Sequence, residues 1–200
     1  MKQLFIAFAF LLFAFSVNSF AQQPKTVTDF YLAMPSDVYS TNNEGNKVTN
    51  KAALTKLRKS FIKTEDIKNG YLKLEGAWEG WAEIALFKKK DGSYLIAQAE
   101  TGCGPACDGF VKFFTYRAGK WTDVTKQVFP NLSEAQVKQA FVGKNVNLED
   151  EGMSYYFLLP QVGTTVKMAC NMCENGETSE SEDLVLMEFT WNGEKFGIKK

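Results

Sequence analysis

The sequence predicts an α+β fold that consists mainly of antiparallel strands. Apolar and polar residues alternate in most segments after residue 70, which is typical of strands with one buried face. Asp91-Gly92 and Asn192-Gly193 are two-residue turn signals that join neighbouring antiparallel strands. Helical spacing occurs twice before residue 62 and once in mid-chain. We therefore expect a curved sheet or a sandwich with two N-terminal helices and one short mid-chain helix.

The first residues are typical of a secretory signal peptide. A positively charged start is followed by an unbroken apolar run over residues 4–15, and Ser19 and Ala21 are small residues at the expected cleavage site. A membrane-spanning helix needs about 20 apolar residues, more than this run contains. We predict a signal peptide over residues 1–21 and a single globular domain over residues 22–200, with no membrane span in the mature chain. The mature protein is expected in the periplasm or outside the cell.

Composition limits the possible classes of function. The chain has 23 basic and 23 acidic residues, and removal of the signal peptide, which holds one lysine and no acid, leaves a net charge of −1. Such a chain lacks the basic excess that nucleic acid binding requires. It also has no histidine, which excludes imidazole-based catalysis and most catalytic zinc sites. We expect a non-enzymatic protein without a cofactor, whose partner is an envelope protein or a polysaccharide.

Two helices are predicted before the strands begin. The first starts near Thr28-Asp29 and is ended by Pro35. The polar segment over residues 36–50 is expected to be a loop. Asn50, at its end, is positioned to cap the second helix. The apolar face of that helix carries Leu54, Leu57 and Phe61.

Strands are predicted over most of the segment that follows Asn69-Gly70. Three acids, Glu75, Glu79 and Glu83, occupy alternating positions there, and we expect them to form a solvated face. The segments with a strand pattern are residues 72–75, 82–87, 94–99, 110–116 and 121–124.

The second half of the chain repeats this pattern. Ser133 is positioned to cap a short helix, and two hairpins follow it. In both halves a hairpin is followed by a cysteine pair, another strand, a glycine turn and an aromatic strand. This repetition indicates either an internal duplication or two units built from the residues that hairpins commonly use. The strands of the second half are expected at residues 155–159, 164–169, 184–191 and 195–198.

Four cysteines form two close pairs, Cys103 with Cys107 and Cys170 with Cys173. In an oxidising compartment they are expected to form disulfides, for which three connectivities are possible. By chain entropy, a closed loop of about 5 residues contributes roughly 2 kcal/mol and one of about 68 residues roughly 4.4 kcal/mol. Crossed pairing would therefore stabilise the fold more, but the Gly104-Pro105 turn favours local closure of the first pair. We predict two local disulfides.

A metal site is the alternative interpretation of the same cysteines. A Cys-x₃-Cys pair followed by a Cys-x₂-Cys pair matches a Cys₄ zinc site, and Met168 and Met172 supply thioether groups that suit Cu(I). A thioredoxin-like role would require the cysteine pair at a helix N-terminus. Here the second pair follows a predicted strand and precedes an acidic segment, residues 174–183. Disulfides therefore remain the prediction, with a Cys₄ zinc or Cu(I) site as the alternative.

The first cysteine loop also resembles part of a known family. Asp91-Gly92-Ser93-Tyr94-Leu95 begins a predicted strand that leads to Cys103-Gly104-Pro105-Ala106-Cys107, and a second strand follows. This hairpin resembles that of the Ivy family of periplasmic lysozyme inhibitors, in which a short disulfide-closed loop protrudes into the active site of the enzyme. The loop here differs in length and lacks the histidine of that family. The resemblance implies a loop, closed by Cys103 and Cys107, that binds a protein partner.

Two functional hypotheses stand beside the metal site. In the first, the protein is an exported, non-catalytic binding module whose rigid cysteine-closed loop contacts an envelope partner in the manner of an inhibitor. In the second, it is a carbohydrate-binding or carbohydrate-active protein in which Trp78 and Trp81 stack on a sugar, with Glu79 nearby. The simpler interpretation of both tryptophans is that they belong to the core. The contact residues of the first hypothesis are Gly104, Pro105 and Ala106.

Overall fold

The computed structural model describes residues 24–42, 44–146, 153–171, 173 and 183–199. These residues form ten antiparallel strands in two sheets, of six and four strands, and four α-helices. The predicted α+β fold of mainly antiparallel strands is therefore confirmed. Sheet 1 consists of β1 (Ile62–Asp66), β2 (Tyr71–Glu75), β3 (Gly80–Lys88), β4 (Tyr94–Cys103), β5 (Cys107–Arg117) and β6 (Lys120–Asp123). Sheet 2 consists of β7 (Tyr156–Leu158), β8 (Thr165–Cys170), β9 (Leu184–Trp191) and β10 (Phe196–Ile198). The helices are α1 (Val27–Ala33), α2 (Lys51–Ser60), α3 (Thr125–Val128) and α4 (Glu134–Val142), with a short 3₁₀-helix over Val38–Ser40.

Sheet 1 lies between two layers. On one face, Leu72 and Ile84 pack against α1, the 3₁₀-helix and the end of α2. On the other face, Phe87 and Phe113 pack against sheet 2 and α4. Successive residues of a strand point to opposite faces, so a sheet covered on both sides needs apolar residues at both sets of positions. This explains why residues 95–99 of β4 are all buried.

The helix caps predicted at two positions are confirmed. The side-chain oxygen of Asn50 accepts hydrogen bonds from the N–H groups of Ala52 and Ala53, both at 3.0 Å, at the start of α2. The hydroxyl of Ser133 accepts one from the N–H of Gln136 at 3.3 Å, at the start of α4. Both caps satisfy N–H groups that have no partner inside their helix, which is why these helices begin where they do.

A buried arginine fixes α1 to α2. The first helix begins with a capping box formed by Thr26 and Asp29. At its other end the guanidinium of Arg58, only 4% exposed, supplies the donors that the last carbonyl groups of the helix lack. Nη1 of this arginine donates, over 2.7 to 3.2 Å, to the carbonyl oxygens of Tyr31, Leu32 and Met34.

Three elements differ from the sequence expectations. The strand β1 was not predicted, because its residues are mostly polar and follow α2 without a turn signal. Among the described strands, β1 lies at the edge of sheet 1 beside β2, and an edge strand can carry polar side chains. The segment expected to be a loop contains the 3₁₀-helix and a bridge that pairs Thr41 with Lys47. The short helix α3, between sheet 1 and α4, was also not predicted.

The strands β3–β6 and β7–β10 form two meanders with the same order of elements. In each, a cysteine loop joins the second and third strands, and a turn with a positive-φ glycine, Gly119 (φ 83°) or Gly193 (φ 95°), joins the third and fourth. This agrees with the plan shared by the two halves of the sequence, and an internal duplication stays a hypothesis. No helix among the described residues is long and apolar enough to cross a membrane. The predicted signal peptide, Met172 and residues 174–182 lie outside the described residues.

Candidate binding site at the disulfide-closed end

The β4–β5 hairpin ends in a short loop closed by a disulfide, which we call the tip (residues 103–107). Cys103 ends β4 and Cys107 begins β5; they are cross-strand partners and form a disulfide with their Cα atoms 4.1 Å apart. The N–H of Gly104 donates to the carbonyl oxygen of Ala106 at 3.1 Å. Gly104 and Pro105 are exposed, whereas Cys107 is buried. The tip is therefore fixed at both ends while its outer residues are in contact with solvent.

The second disulfide lies beside the tip. Cys170, at the end of β8, is bonded to Cys173 with the two Cα atoms 5.8 Å apart, and both residues are buried. Asn171 lies between them and accepts, through its side-chain oxygen, a hydrogen bond from the N–H of Cys107 at 3.0 Å. The two cysteine loops are therefore closed separately, as the sequence predicted, and the side chain of Asn171 connects one to the other.

The two sheets meet directly beneath the tip. The N–H of Gly109 in β5 donates to the carbonyl oxygen of Tyr155 at 2.9 Å, next to the start of β7. A Cβ atom at Gly109 would overlap the carbonyl oxygen of Glu100 and crowd the Cβ of Tyr156, so this approach requires glycine. Tyr156 then packs edge-on against Trp81, with ring centroids 5.4 Å apart.

The two tryptophans lie on opposite faces of sheet 1. Trp81 belongs to the small cluster formed by Tyr156 and the two cysteines of the tip. Trp78 packs instead on Tyr39 of the 3₁₀-helix, with ring centroids 5.8 Å apart, and its indole N–H donates to the carbonyl oxygen of Thr101 at 3.0 Å. The two rings therefore do not form the single stacking surface on which the sugar-binding hypothesis depends.

The chain segment before β3 holds the base of the tip. Gly80 has a φ of 141°, and a Cβ atom there would overlap the carbonyl oxygen of Thr101 and come within 3.0 Å of the indole nitrogen of Trp78. The carbonyl oxygen of Glu79 accepts a hydrogen bond from the N–H of Cys103 at 3.0 Å. Glycine is required at position 80 because this segment passes so close to β4.

A groove of about 490 Å³ opens at the base of the tip, and we call it the tip groove. Its apolar walls are the half-buried ring of Trp78 and the exposed side chains of Val38 (45% exposed) and Phe110 (44% exposed). Glu100 and Asp108 also line it. The groove lies on the same face of sheet 1 as α1 and the 3₁₀-helix, on the side of the tip opposite to Trp81.

The electrostatic character of the tip groove is acidic. The carboxylate of Glu100 is oriented by two hydrogen bonds, one from the hydroxyl of Tyr39 at 3.2 Å and one from the side-chain amide of Gln98. Asp108 is exposed, and none of the ion pairs between described residues involves it. No lysine or arginine of the described part of the chain lines the groove.

Glu83 is buried, which corrects the solvated face expected for Glu75, Glu79 and Glu83. Its side chain is only 6% exposed; the hydroxyl of Tyr71 donates to Oε1 and the N–H of Leu159 donates to Oε2, both at 2.6 Å. The strand pattern placed Glu83 on the correct face of β3, but sheet 2 covers that face. Burial raises the pKa of the Glu83 carboxyl above its ordinary value.

The four cysteine sulfurs are all in disulfides, so none of them is a thiolate ligand. Met168, a candidate Cu(I) ligand, is fully buried in the core between sheet 1 and sheet 2. Across the ranges that the structure describes, no group of three or more histidine, cysteine, aspartate or glutamate side chains is placed to hold a metal ion. The Cys₄ metal site that was the alternative interpretation therefore lacks thiolate ligands in this structure.

Sequence reasoning missed several residues that surround the tip. Phe110 carries a weak signal, since it is an aromatic residue on the face of β5 opposite to the buried Val111. Asp108 and Asn171 are single polar residues next to cysteines, and Val38 lies in a segment expected to be a loop. These residues become neighbours of the tip only through the fold, so no local pattern identifies them.

Comparisons with known proteins relate this chain to others by fold alone. No family model matches the chain, and a search of curated proteins returned no match. Among solved structures, the chain is similar to a domain of an uncharacterized protein from Porphyromonas gingivalis W83, with 15% identity and a TM-score of 0.51 over 86% of this chain and 97% of that chain. At this identity, the similarity shows a common fold and carries no functional assignment.

Proposed function

We propose that this protein is an exported, non-catalytic binding module that presents the tip to an envelope protein, in the manner of an inhibitor. The observation that carries the proposal is the tip itself, a loop that is closed by the Cys103–Cys107 disulfide and exposed at Gly104 and Pro105. The side chain of Asn171, from the second cysteine loop, accepts a hydrogen bond from the N–H of Cys107 and so helps to hold the tip in place. The sequence begins with a predicted signal peptide, and disulfides are typical of an oxidising compartment.

A rigid tip is suited to binding because it loses little freedom when a partner contacts it. Ordering a flexible side chain or loop at an interface costs about 0.5–1.5 kcal/mol for each group that becomes fixed. Here the register of β4 and β5, the disulfide and the hydrogen bond from Gly104 to Ala106 already fix the loop. Most of the conformational entropy of the loop is therefore lost when the protein folds, and little more is lost on binding.

A site-specific crosslinking experiment tests the proposal. A photoreactive residue placed at position 105, in protein exported by living cells, is expected to capture one envelope protein, whose affinity for the purified wild type is then measured. Pro105→Asp is expected to weaken that affinity at least tenfold, or about 1.4 kcal/mol, because it places a charge where the partner covers the tip. The matched control is Val162→Asp on the loop between β7 and β8, at a position that is 73% exposed.

Three outcomes would overturn the proposal. The first is an affinity for Pro105→Asp within twofold of the wild type. The second is an equal loss of affinity for Val162→Asp, which would mean that the contact is not localised at the tip. The third is capture of a polysaccharide and no protein, which would assign a different class of partner.

A further inference from the structure

The tip groove combines aromatic walls with a negative charge. Trp78 and Phe110 provide ring surfaces, and Glu100 and Asp108 provide carboxylates. Aromatic faces and carboxylates both attract cations, the first through the ring quadrupole and the second through charge. An uncharged occupant would shield the two acids from water without compensating their charge.

The fold already holds the groove in a form that suits a ligand. Glu100 is kept in place by the hydroxyl of Tyr39 and the amide of Gln98, and the indole N–H of Trp78 is bonded to the backbone of β4. Asp108 is exposed, so its carboxylate is available to a ligand that approaches from solvent. One wall of the site is therefore fixed, and the remaining acid is accessible.

A cation already interacts with the outer wall of the groove. The amino group of Lys112 lies 4.8 Å from the centre of the Phe110 ring, at the distance of a cation–π contact. Lys112 does not itself line the groove. The ring of Phe110 is 44% exposed, so this contact leaves part of its surface open.

We propose that the tip groove receives a lysine or arginine side chain of the protein that the tip contacts. The inference rests on the proposed function, because the groove adjoins the tip: Asp108 follows Cys107 directly in the chain and Gly102 precedes Cys103. A partner that covers the tip therefore also covers the groove. Its cationic side chain would lie between the rings of Trp78 and Phe110 with its charged end at the two carboxylates.

The test uses small probes, so it does not depend on the partner being known. N-acetyl-arginine amide is titrated into the ¹⁵N-labelled full mature protein, and N-acetyl-citrulline amide serves as the uncharged probe of similar shape. Saturable NMR shifts are expected at the Trp78 indole N–H and at the amides of Gly102 and Phe110 with the arginine probe. The citrulline probe is expected to bind at least fivefold more weakly, since it retains the shape but lacks the charge.

Three variants localise the effect. Asp108→Asn is expected to raise the dissociation constant of the arginine probe about two- to fivefold, the range of a partly exposed ion pair. Phe110→Leu keeps an apolar wall but removes the ring face, and an increase of similar size is expected. The control, Glu194→Gln, removes an acid that pairs with Lys90 at the opposite end of the strands, and it is expected to change nothing.

Equal affinities for the two probes would overturn the inference. So would an arginine probe whose shifts do not saturate up to about 100 mM, because such binding is too weak to be specific. An Asp108→Asn variant that binds the arginine probe like the wild type would also overturn it. These failures differ from failure of the proposed function. If Pro105→Asp weakens partner binding but the probe results are negative, the tip proposal stands and the groove proposal is wrong. If the probe binds as expected but Pro105→Asp binds the partner like the wild type, the groove is a cation site that does not serve the tip.

Discussion

Replacement of Glu83 tests how a buried carboxyl group acts between the two sheets. Glu83 extends from β3 and accepts hydrogen bonds from the hydroxyl of Tyr71 and the N–H of Leu159, both at 2.6 Å. The second bond attaches the end of β7 to sheet 1. Two substitutions separate the hydrogen bonds from the charge. Glu83→Gln keeps a side chain that accepts and donates hydrogen bonds, whereas Glu83→Ala removes both contacts.

The expected magnitudes follow from the two donors that Glu83 satisfies. A buried donor without a partner costs about 1–3 kcal/mol, so Glu83→Ala is expected to lower the free energy of unfolding by roughly 2–5 kcal/mol after the relief of a buried charge is counted. In Glu83→Gln, the amide oxygen accepts from the N–H of Leu159 and the amide NH₂ donates to the hydroxyl oxygen of Tyr71, whose own hydrogen loses its acceptor. Removal of the buried charge offsets this loss, so the variant is expected to lose clearly less stability than Glu83→Ala at neutral pH.

The pH dependence gives a second, independent test. Burial, assisted by the charge of Asp183 and opposed by the two hydrogen bonds and by Lys73, raises the pKa of Glu83 above its ordinary value of 4.5. The native state then binds the proton more tightly than the unfolded state does. The stability that this group contributes is complete below pH 4.5 and is lost as the pH rises through the native pKa. Glutamine does not titrate, so the stability of Glu83→Gln relative to the wild type is expected to rise from that pH upward.

The assay is urea unfolding of the oxidised protein, followed by tryptophan fluorescence at several pH values between about 4 and 8. Glu75→Gln is the control, because Glu75 is a more exposed acid on the neighbouring strand of the same sheet, and its change is expected to stay within about 0.5 kcal/mol. The reasoning is refuted if Glu83→Gln loses as much stability as Glu83→Ala at neutral pH. That result would mean that the ionised carboxylate, rather than its hydrogen bonds, holds the sheets together.

Three further substitutions test contacts that position the tip and the helix α1. Gly80→Ala is expected to cost more than about 2 kcal/mol, since φ is 141° and the added Cβ overlaps the backbone of Thr101; a urea midpoint equal to the wild type would contradict this close approach. Asn171→Ala removes the acceptor for the N–H of Cys107 and is expected to cost about 1 kcal/mol, with faster amide hydrogen exchange at Cys107. Arg58→Met is expected to cost roughly 2–4 kcal/mol, measured by thermal unfolding, because several carbonyl groups at the end of α1 lose their donor.

Much of the fold could be predicted because its signals are local. A helix cap such as Asn50 acts on N–H groups two and three residues away, and a turn such as Asp91-Gly92 acts within four residues, so both are visible in the sequence. Glu83 shows where this reasoning stops. Alternation along β3 identifies which residues share a face, but whether that face is covered by water or by sheet 2 depends on residues 155–198. A single acid on an apolar strand therefore looked solvated and is buried.

The candidate site was only partly predictable, for the same reason. The tip is a local feature, because its cysteines are 4 positions apart and a glycine-proline turn lies between them. The tip groove is not local: Val38 comes from the 3₁₀-helix and Phe110 from β5, which are distant in sequence. Asn171 reaches the tip across 64 positions of the chain. No spacing rule connects such residues, so their assembly is visible only in the folded structure.

The two disulfides stiffen one end of the molecule rather than strengthen the fold as a whole. Their loops, with sequence separations of 4 and 3, each contribute about 2 kcal/mol by chain entropy, less than half of what a crossed bond between the two loops would give. Sheet 1 has an extensive apolar cluster on each face. The apolar surface buried in these clusters, rather than the disulfides, accounts for most of the stability of the fold. Both covalent restraints nevertheless lie at the end where the tip emerges. A loop there would otherwise be the part of the hairpin with the most conformational freedom. Under the proposed function, the restraints therefore lie where stiffness lowers the entropy cost of binding.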